Sequence, residues 1–416
     1  MNDVVRHKSR AMRSSLFLAV AIGALLIFVR SSAIALTNEV PETYFGMTII
    51  QPKLIPLQTQ FGSRRTLNTF GLAWADLNPG PGQYNWSNLD WLMHQAQSEG
   101  YDLVYTFFRT PNWASSEPAA PTPDYGLGEC APPSNIQYWD DFVRATVTRA
   151  AGRIKYWEIW NEPQEFPPKG FYCGDISTMV KLQQRAYDII KSIDPSAMVL
   201  TPSVTGGLGP QWMARFLKAG GGQYADIMTF HGYSDQKGES LLPVINKFKR
   251  VFAAYGQGSK PVWDTEAGWL TTSDPNLQSA FVAKYYLLHW SSGVSRFYWY
   301  AYDEPHWGTL WDATNGLRKA GRAYNEVRKW MIGATMDGPC TARNAVWTCN
   351  FSRPNGYKAI AVWNSVRDST FAVEAKYKQY RDLAGNIKKI GDHHHVPISN
   401  MPILIETELL SQNYNQ

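Results

Sequence analysis

Two short runs place carboxyl groups among aromatic and amide side chains. One is Tyr156-Trp157-Glu158-Ile159-Trp160-Asn161-Glu162-Pro163, the other Val262-Trp263-Asp264-Thr265-Glu266-Ala267-Gly268-Trp269. Each reads as a strand that ends at its glutamate, so Glu162 and Glu266 are expected at strand ends, 104 residues apart. Two carboxyl groups across one cleft suit cleavage of a glycosidic bond: one protonates the leaving oxygen and the other attacks the anomeric carbon. Glu158 and Asp264 share strand parity with these two. They are expected in deeper layers of the same interior, in paired structural roles.

Other candidates carry an alternative reading each. Arg109 ends a strand-like run, where its guanidinium either holds Glu266 ionised or binds a sugar hydroxyl, or else closes a structural ion pair. His231, in Thr229-Phe230-His231-Gly232-Tyr233, also ends a strand and is read as substrate-binding. His393-His394-His395 has only Asp392 as an acidic neighbour and reads as a solvated turn, so no metal site is expected. The glycine-rich pieces Gly206-Gly207-Leu208-Gly209 and Gly220-Gly221-Gly222 lack phosphate-cradling spacing. GxSxG and HExxH are both missing, which removes the main support for serine esterase and zincin chemistry. No cofactor is expected.

The elements that must position these groups alternate. Strand-like runs lie at 44–50, 66–70, 103–108, 154–160, 198–201, 227–231, 261–266 and 296–300, with helical stretches between most of them. The clearest helix carries Met179, Leu182, Ala186, Ile189, Ile190 and Ile193 at a 3.6-residue period, with Asp175 or Ser177 as N-cap and Pro195 as the stop. Eight parallel βα units match a (β/α)8 barrel, a fold of about 250 residues whose reactive groups sit at the C-terminal strand ends. The spacing of Glu162 and Glu266 equals about three such units, so they would end strands four and seven. From 333 the pattern changes to short alternating runs with turns at Pro354-Asn355-Gly356 and Ala384-Gly385-Asn386, which reads as a small antiparallel β domain.

At the other end, Arg6, Lys8, Arg10 and Arg13 precede the apolar run 16–29, and Ala33-Ile34-Ala35 offers a cleavage pattern. The expected division is a signal peptide at 1–35, the barrel at 36–332 and the β domain at 333–416. Fourteen apolar residues fall short of the ~18 a spanning helix needs, although Arg30 leaves an uncleaved anchor as the alternative. Without 1–35 the chain keeps 35 basic and 34 acidic side chains, so charge implies neither a nucleic-acid nor a membrane-surface partner. With 44% hydrophobic and 18% charged residues, disorder is excluded. Four cysteines in an exported chain suggest disulfides. Of three pairings, Cys340 with Cys349 suits a hairpin staple, which leaves Cys130 with Cys173.

The two glutamate runs, together with Pro81-Gly82-Gln83-Tyr84-Asn85-Trp86, closely resemble glycoside hydrolase clan A, most like family 39 with neighbouring family 5. The resemblance spans most of 44–330. It implies a retaining barrel enzyme with a trailing β-sandwich, Glu162 as acid/base, Glu266 as nucleophile and Asn161 on the sugar 2-hydroxyl. It also implies that Tyr233 hydrogen-bonds the nucleophile and that Trp299 forms an aromatic platform under the sugar. Trp113, Trp269 and Trp307 lie in the following loops, as extensions of that platform or as packed anchors. The expected protein is an exported β-glycosidase acting on a poly- or oligosaccharide; the alternatives are an inactive carbohydrate-binding barrel and a transglycosylase. Repulsion from Glu266 is expected to keep Glu162 protonated.

Overall fold

The computed structural model describes residues 38–407 apart from 68, 70, 123, 165–169, 236, 270–273 and 355. The signal segment read at 1–35 lies outside the described residues. Eight strands, β1 (Phe45–Thr48), β2 (Ser63–Arg65), β3 (Asp102–Phe107), β4 (Tyr156–Ile159), β5 (Met198–Leu200), β6 (Met228–His231), β7 (Val262–Ala267) and β8 (Arg296–Trp299), form one parallel sheet. Its order is β5-β4-β3-β2-β1-β8-β7-β6, and a parallel bridge from Leu200 to Ile227 joins the two ends into a ring. This is a (β/α)8 barrel, so all eight strand ends open on one face.

Seven strands fall where the residue pattern puts them. The second does not: the strand-like run read at 66–70 follows the strand, which consists of buried Ser63, Arg64 and Arg65. Arginines inside a barrel are compatible with burial only when paired, and Arg65 is paired twice over, as described below.

The helices are α1 (Trp74–Leu77), α2 (Ser87–Glu99), α3 (Ile136–Ala150), α4 (Ile176–Ile193), α5 (Gly209–Lys218), α6 (Leu241–Ala254), α7 (Pro275–Ser291) and α8 (Lys319–Met331). In α4, Asp175 is the N-cap, accepting from Thr178 N at 2.7 Å, and the apolar stripe from Met179 to Ile190 is buried against the sheet. α7 breaks the amphipathic rule, since every residue from Gln278 to Ser291 is buried. Its outer side is covered by the C-terminal sheet: Ser291 Oγ accepts from Cys340 N at 2.7 Å, and Lys284 donates to Asn400.

That sheet follows a two-strand hairpin, β9 (Trp311–Asp312) and β10 (Gly316–Leu317), in the loop after β8. Its strands are β11 (Thr335–Met336), β12 (Thr341–Arg343), β13 (Val346–Ser352), β14 (Lys358–Asn364), β16 (Gln379–Arg381), β17 (Ile387–Lys389) and β19 (Ile403–Glu406). All pairings are antiparallel, in the order β11-β13-β14-β19-β16-β17, with β12 on β13. β15 (Ser369–Ala372) pairs with β18 (His395–Ile398) as a separate ribbon. His393 and His394 therefore lie in the turn before β18, which His395 opens. Both disulfides form as paired from the sequence: Cys340 with Cys349, Cα atoms 4.3 Å apart, and Cys130 with Cys173 at 5.2 Å, joining the loops after β3 and β4.

Candidate active site

The chain leaves β4 through two left-handed residues, Trp160 (φ 72°) and Glu162 (φ 43°), a conformation that L side chains adopt only when held. It is held here: Glu162 N donates to Ser203 O at 2.8 Å, and Asn161 bridges Ser203 in parallel register. The turn presents Asn161 and Glu162 together. On the facing wall, β7 shifts register between Asp264 and Ala267, and its Glu266 pairs with His231 of β6. One carboxylate oxygen from each glutamate and a ring nitrogen of His231 all lie within 4.8 Å of one another.

The two carboxyls have different partners. Glu162 Oε1 meets His231 Nδ1 at 2.7 Å. Glu266 accepts from Arg65 Nη1 at 2.6 Å and from Tyr233 Oη at 3.0 Å. Burial pushes Glu162 up to about 7, with Arg65 opposing. Burial therefore replaces the expected repulsion from Glu266 as the cause. Glu266 also lies above its ordinary range, pushed up by burial and then by Glu162, with Arg65 and the Tyr233 hydroxyl opposing. His231 is pulled down by burial and stays neutral, while burial and Glu266 hold the Tyr233 phenol well above its usual range, as a donor.

Arg65 is the site residue that sequence reasoning missed. Its guanidinium donates to Glu158 from Nε at 2.7 Å, to Glu266 from Nη1 and to Asn161 Oδ1 from Nη2 at 2.8 Å. The available signal was the Arg64-Arg65 pair directly before the strand-like run at 66–70, in the second βα unit. Arg109, in contrast, pairs with Glu129 at 2.5 Å and Asp76 at 3.4 Å and lies over the Tyr125 ring, so it forms the structural ion pair, while Glu266 is met by Arg65 instead. Glu158 and Asp264 lie fully buried below the site; Asp264 accepts from His289 Nε2 at 2.6 Å and from the backbone N of Gly232 and Glu266.

The platform expectation for Trp299 needs correction. Its ring has no exposed surface, its Nε1 donates to Gly308 O at 2.7 Å, and Gly308 (φ 96°) comes so near that a Cβ there would sit 2.9 Å from the indole. The loop after β8 has closed over it. Trp307 of that loop is the exposed ring, 42% accessible and edge-on to Tyr233 at 5.6 Å. Trp269 is buried as well, whereas Trp113 is half-buried and donates to Asn78 O.

Glu162, His231 and Glu266 have the donor types of a metal site. Glu162 Oε1 and His231 Nδ1 are engaged with each other and both Glu266 oxygens with Tyr233 and Arg65, and a fixed cation 2.6 Å from Glu266 opposes a second one. The two carboxyls thus stand in different surroundings, Glu162 against the His231 ring and Glu266 against Arg65 and the Tyr233 hydroxyl.

A family model described as glycosyl hydrolase catalytic core matches residues 134–324, which include both glutamates. Among solved structures, a family 39 β-xylosidase from Caulobacter crescentus aligns with TM-score 0.61 and 17% identity over 90% of this chain and 98% of that one. A glucosidase from Croceicoccus marinus aligns with 0.61 and 14%, over 89% and 96%. An α-L-arabinofuranosidase from Thermotoga maritima aligns with 0.59 and 12%, over 90% and 97%. The chain shares its fold with these enzymes, and the stretch matched by the glycosyl hydrolase core carries both glutamates of the close carboxyl pair.

Proposed function

We propose that this protein is an exported retaining O-glycosidase that hydrolyses β-linked sugars of a poly- or oligosaccharide, with the boundaries 1–35, 36–332 and 333–416 for leader, catalytic barrel and β domain. The observation that carries the reading is the asymmetry of a close carboxyl pair: oxygens within 4.8 Å, one glutamate pushed to about 7 and the other bridged by Arg65 and Tyr233. Retaining enzymes hold their carboxyls about 5–5.5 Å apart, inverting ones about 6.5–9.5 Å.

In this reading Glu266 attacks the anomeric carbon while Glu162 gives its proton to the leaving oxygen, so a glycosyl ester forms as the glycosidic bond breaks. Glu162, now ionised, takes a proton from water, which attacks the same carbon and releases Glu266. Asn161 has its amide oxygen committed to Arg65, which leaves Nδ2 as the end that donates to a sugar 2-hydroxyl. His231, fully buried, acts through Glu162. Export is supported by the two disulfides and the basic-then-apolar N-terminal sequence. No helix of the described residues is long and apolar enough to cross a membrane.

NMR of the first-formed product, before mutarotation, tests the mechanism: a β-linked substrate yields the β-anomer, and an initial α-anomer would withdraw the nucleophile role from Glu266. Release of reducing ends from a polysaccharide panel separates hydrolysis from transfer to sugar and from binding alone.

A further inference from the structure

Beneath the paired carboxyls lies a third for which double displacement has no step. Glu158 is fully buried on β4, four residues before Glu162. Its Oε2 accepts from Arg65 Nε and Thr106 Oγ1, both at 2.7 Å, and its Oε1 from Ser203 Oγ at 2.5 Å. Ser203 is itself fixed by Thr265 Oγ1 at 2.7 Å and Thr229 Oγ1 at 2.9 Å. Burial works against ionisation here, but Arg65 and the hydroxyls of Ser203 and Thr106 oppose it, and Glu158 is held below the usual carboxylate range. The other edge of the same guanidinium grips Glu266 and Asn161.

We propose that Glu158 is a positioning residue that acts on Glu266 through Arg65, locking the guanidinium fork and taking up part of its charge. The inference rests on reading Glu266 as the nucleophile. A buried Arg65 facing Glu266 alone would form a closed ion pair, which strengthens as the dielectric falls and blunts the carboxylate. Sharing the cation between two anions loosens that pairing while keeping the hydrogen bonds that aim Glu266.

The charge count around Glu266 points the same way. Arg65 from β2, Glu162 after β4, His231 from β6 and Tyr233 after it act on Glu266 directly; Glu158 and Asp264 act on His231, Tyr300 acts on Tyr233, and Asp264 also accepts from Glu266 N. Asp264 is turned to His289, His231 is neutral, Tyr233 keeps its proton and Glu162 keeps its own up to about pH 7. Arg65 is thus set against two carboxylates, Glu158 and Glu266, and the pocket carries a net negative charge. Positive charge develops on the sugar ring in an oxocarbenium-like transition state, and a fixed negative surplus stabilises it.

The test is a pH titration of the full chain labelled at glutamate Cδ, in wild type and in Glu158→Gln. The Glu162 and Glu266 resonances are identified by their loss in Glu162→Gln and Glu266→Gln. With the charge of Arg65 no longer shared, both midpoints should fall, by about one pH unit. The kcat/KM profile on an activated aryl glycoside should move acidward by the same amount. A merely structural Glu158 would lower activity without moving either midpoint. Unchanged midpoints in folded Glu158→Gln overturn the proposal. Should that variant fail to fold, Glu158→Asp, which keeps the charge but withdraws it from Arg65 Nε, should show a smaller shift in the same direction, and no shift overturns the proposal equally. Inactivity of the wild type on every glycoside would sink the glycosidase reading and leave the midpoints readable.

Discussion

His231 Nδ1 lies 2.7 Å from Glu162 Oε1, and the imidazole is wholly buried behind it. A neutral ring both fixes the direction of that carboxyl and adds no charge to ionise it. Glu162 can therefore stay protonated to about pH 7. The alkaline limb of kcat/KM is expected near pH 7. Glu162→Gln should abolish that limb and lower kcat/KM by about 10²–10⁴ on substrates with poor leaving groups, and far less on an activated aryl glycoside. Equal losses on the two substrates would remove Glu162 from the acid role.

The same shift predicts a stability slope. Glu162 ionises near 4.5 in the unfolded chain and near 7 when folded, so between these values the folded state binds one more proton. Its contribution is fully present below about pH 4.5 and is lost as pH rises through 7, a total of about 3 kcal/mol. Urea denaturation of wild type at pH 5 and pH 8 should differ by roughly that amount more than it does in Glu162→Gln. Parallel pH dependences in the two proteins would count against a shifted Glu162.

Glu266→Gln keeps the shape of the side chain and its contacts with Arg65 and Tyr233 but cannot form a glycosyl ester. Turnover should fall by about 10⁴-fold or more while oligosaccharide binding persists, as read by calorimetry. Near wild-type turnover would sink the nucleophile assignment.

The legibility of this site follows its physics. Glu162 and Glu266 could be placed because a strand that ends on a carboxyl, repeated three βα units later, puts both on one barrel face. Arg65 escaped because the second strand was read at 66–70, just after the true β2, and two adjacent arginines do not read as a buried strand; Arg65 is buried only because two carboxylates meet it. Trp299 was positioned correctly along the chain, at the end of β8, but whether a ring faces sugar or protein depends on the loop above it, here closed by Gly308. α7 gave no amphipathic period because its second face is covered by a sheet 50 residues further on.

The disulfides should differ in weight. The bridge from Cys130 to Cys173 spans 43 residues and that from Cys340 to Cys349 spans nine. Loop-closure entropy assigns them about 4 and about 3 kcal/mol respectively. Replacing both cysteines of the first pair with alanine should lower stability more than replacing the second, and the first change should also raise KM, because it frees the loops after β3 and β4. Peptide mapping without reductant checks the pairing itself.

The last prediction concerns how the β sheet reaches the cleft. Trp363 on β14 donates its indole N–H to Glu239 Oε1 at 2.6 Å, and Lys284 of α7 holds the same oxygen at 2.9 Å while donating to Asn400. Glu239 lies six residues after Tyr233, in the connection from β6 to α6, and Gly238 beside it leaves no room for a Cβ against Lys284. The segment that aims a hydroxyl at Glu266 is thus clamped between α7 and the C-terminal sheet. Trp363→Phe removes one hydrogen bond to a charged acceptor and should cost about 1.5–3 kcal/mol of stability. If the clamp also positions Tyr233, kcat should fall severalfold with KM little changed, because the lost contact is to the reacting carboxylate rather than to bound sugar. Destabilisation with an unchanged kcat would confine the clamp to holding the sheet on the barrel.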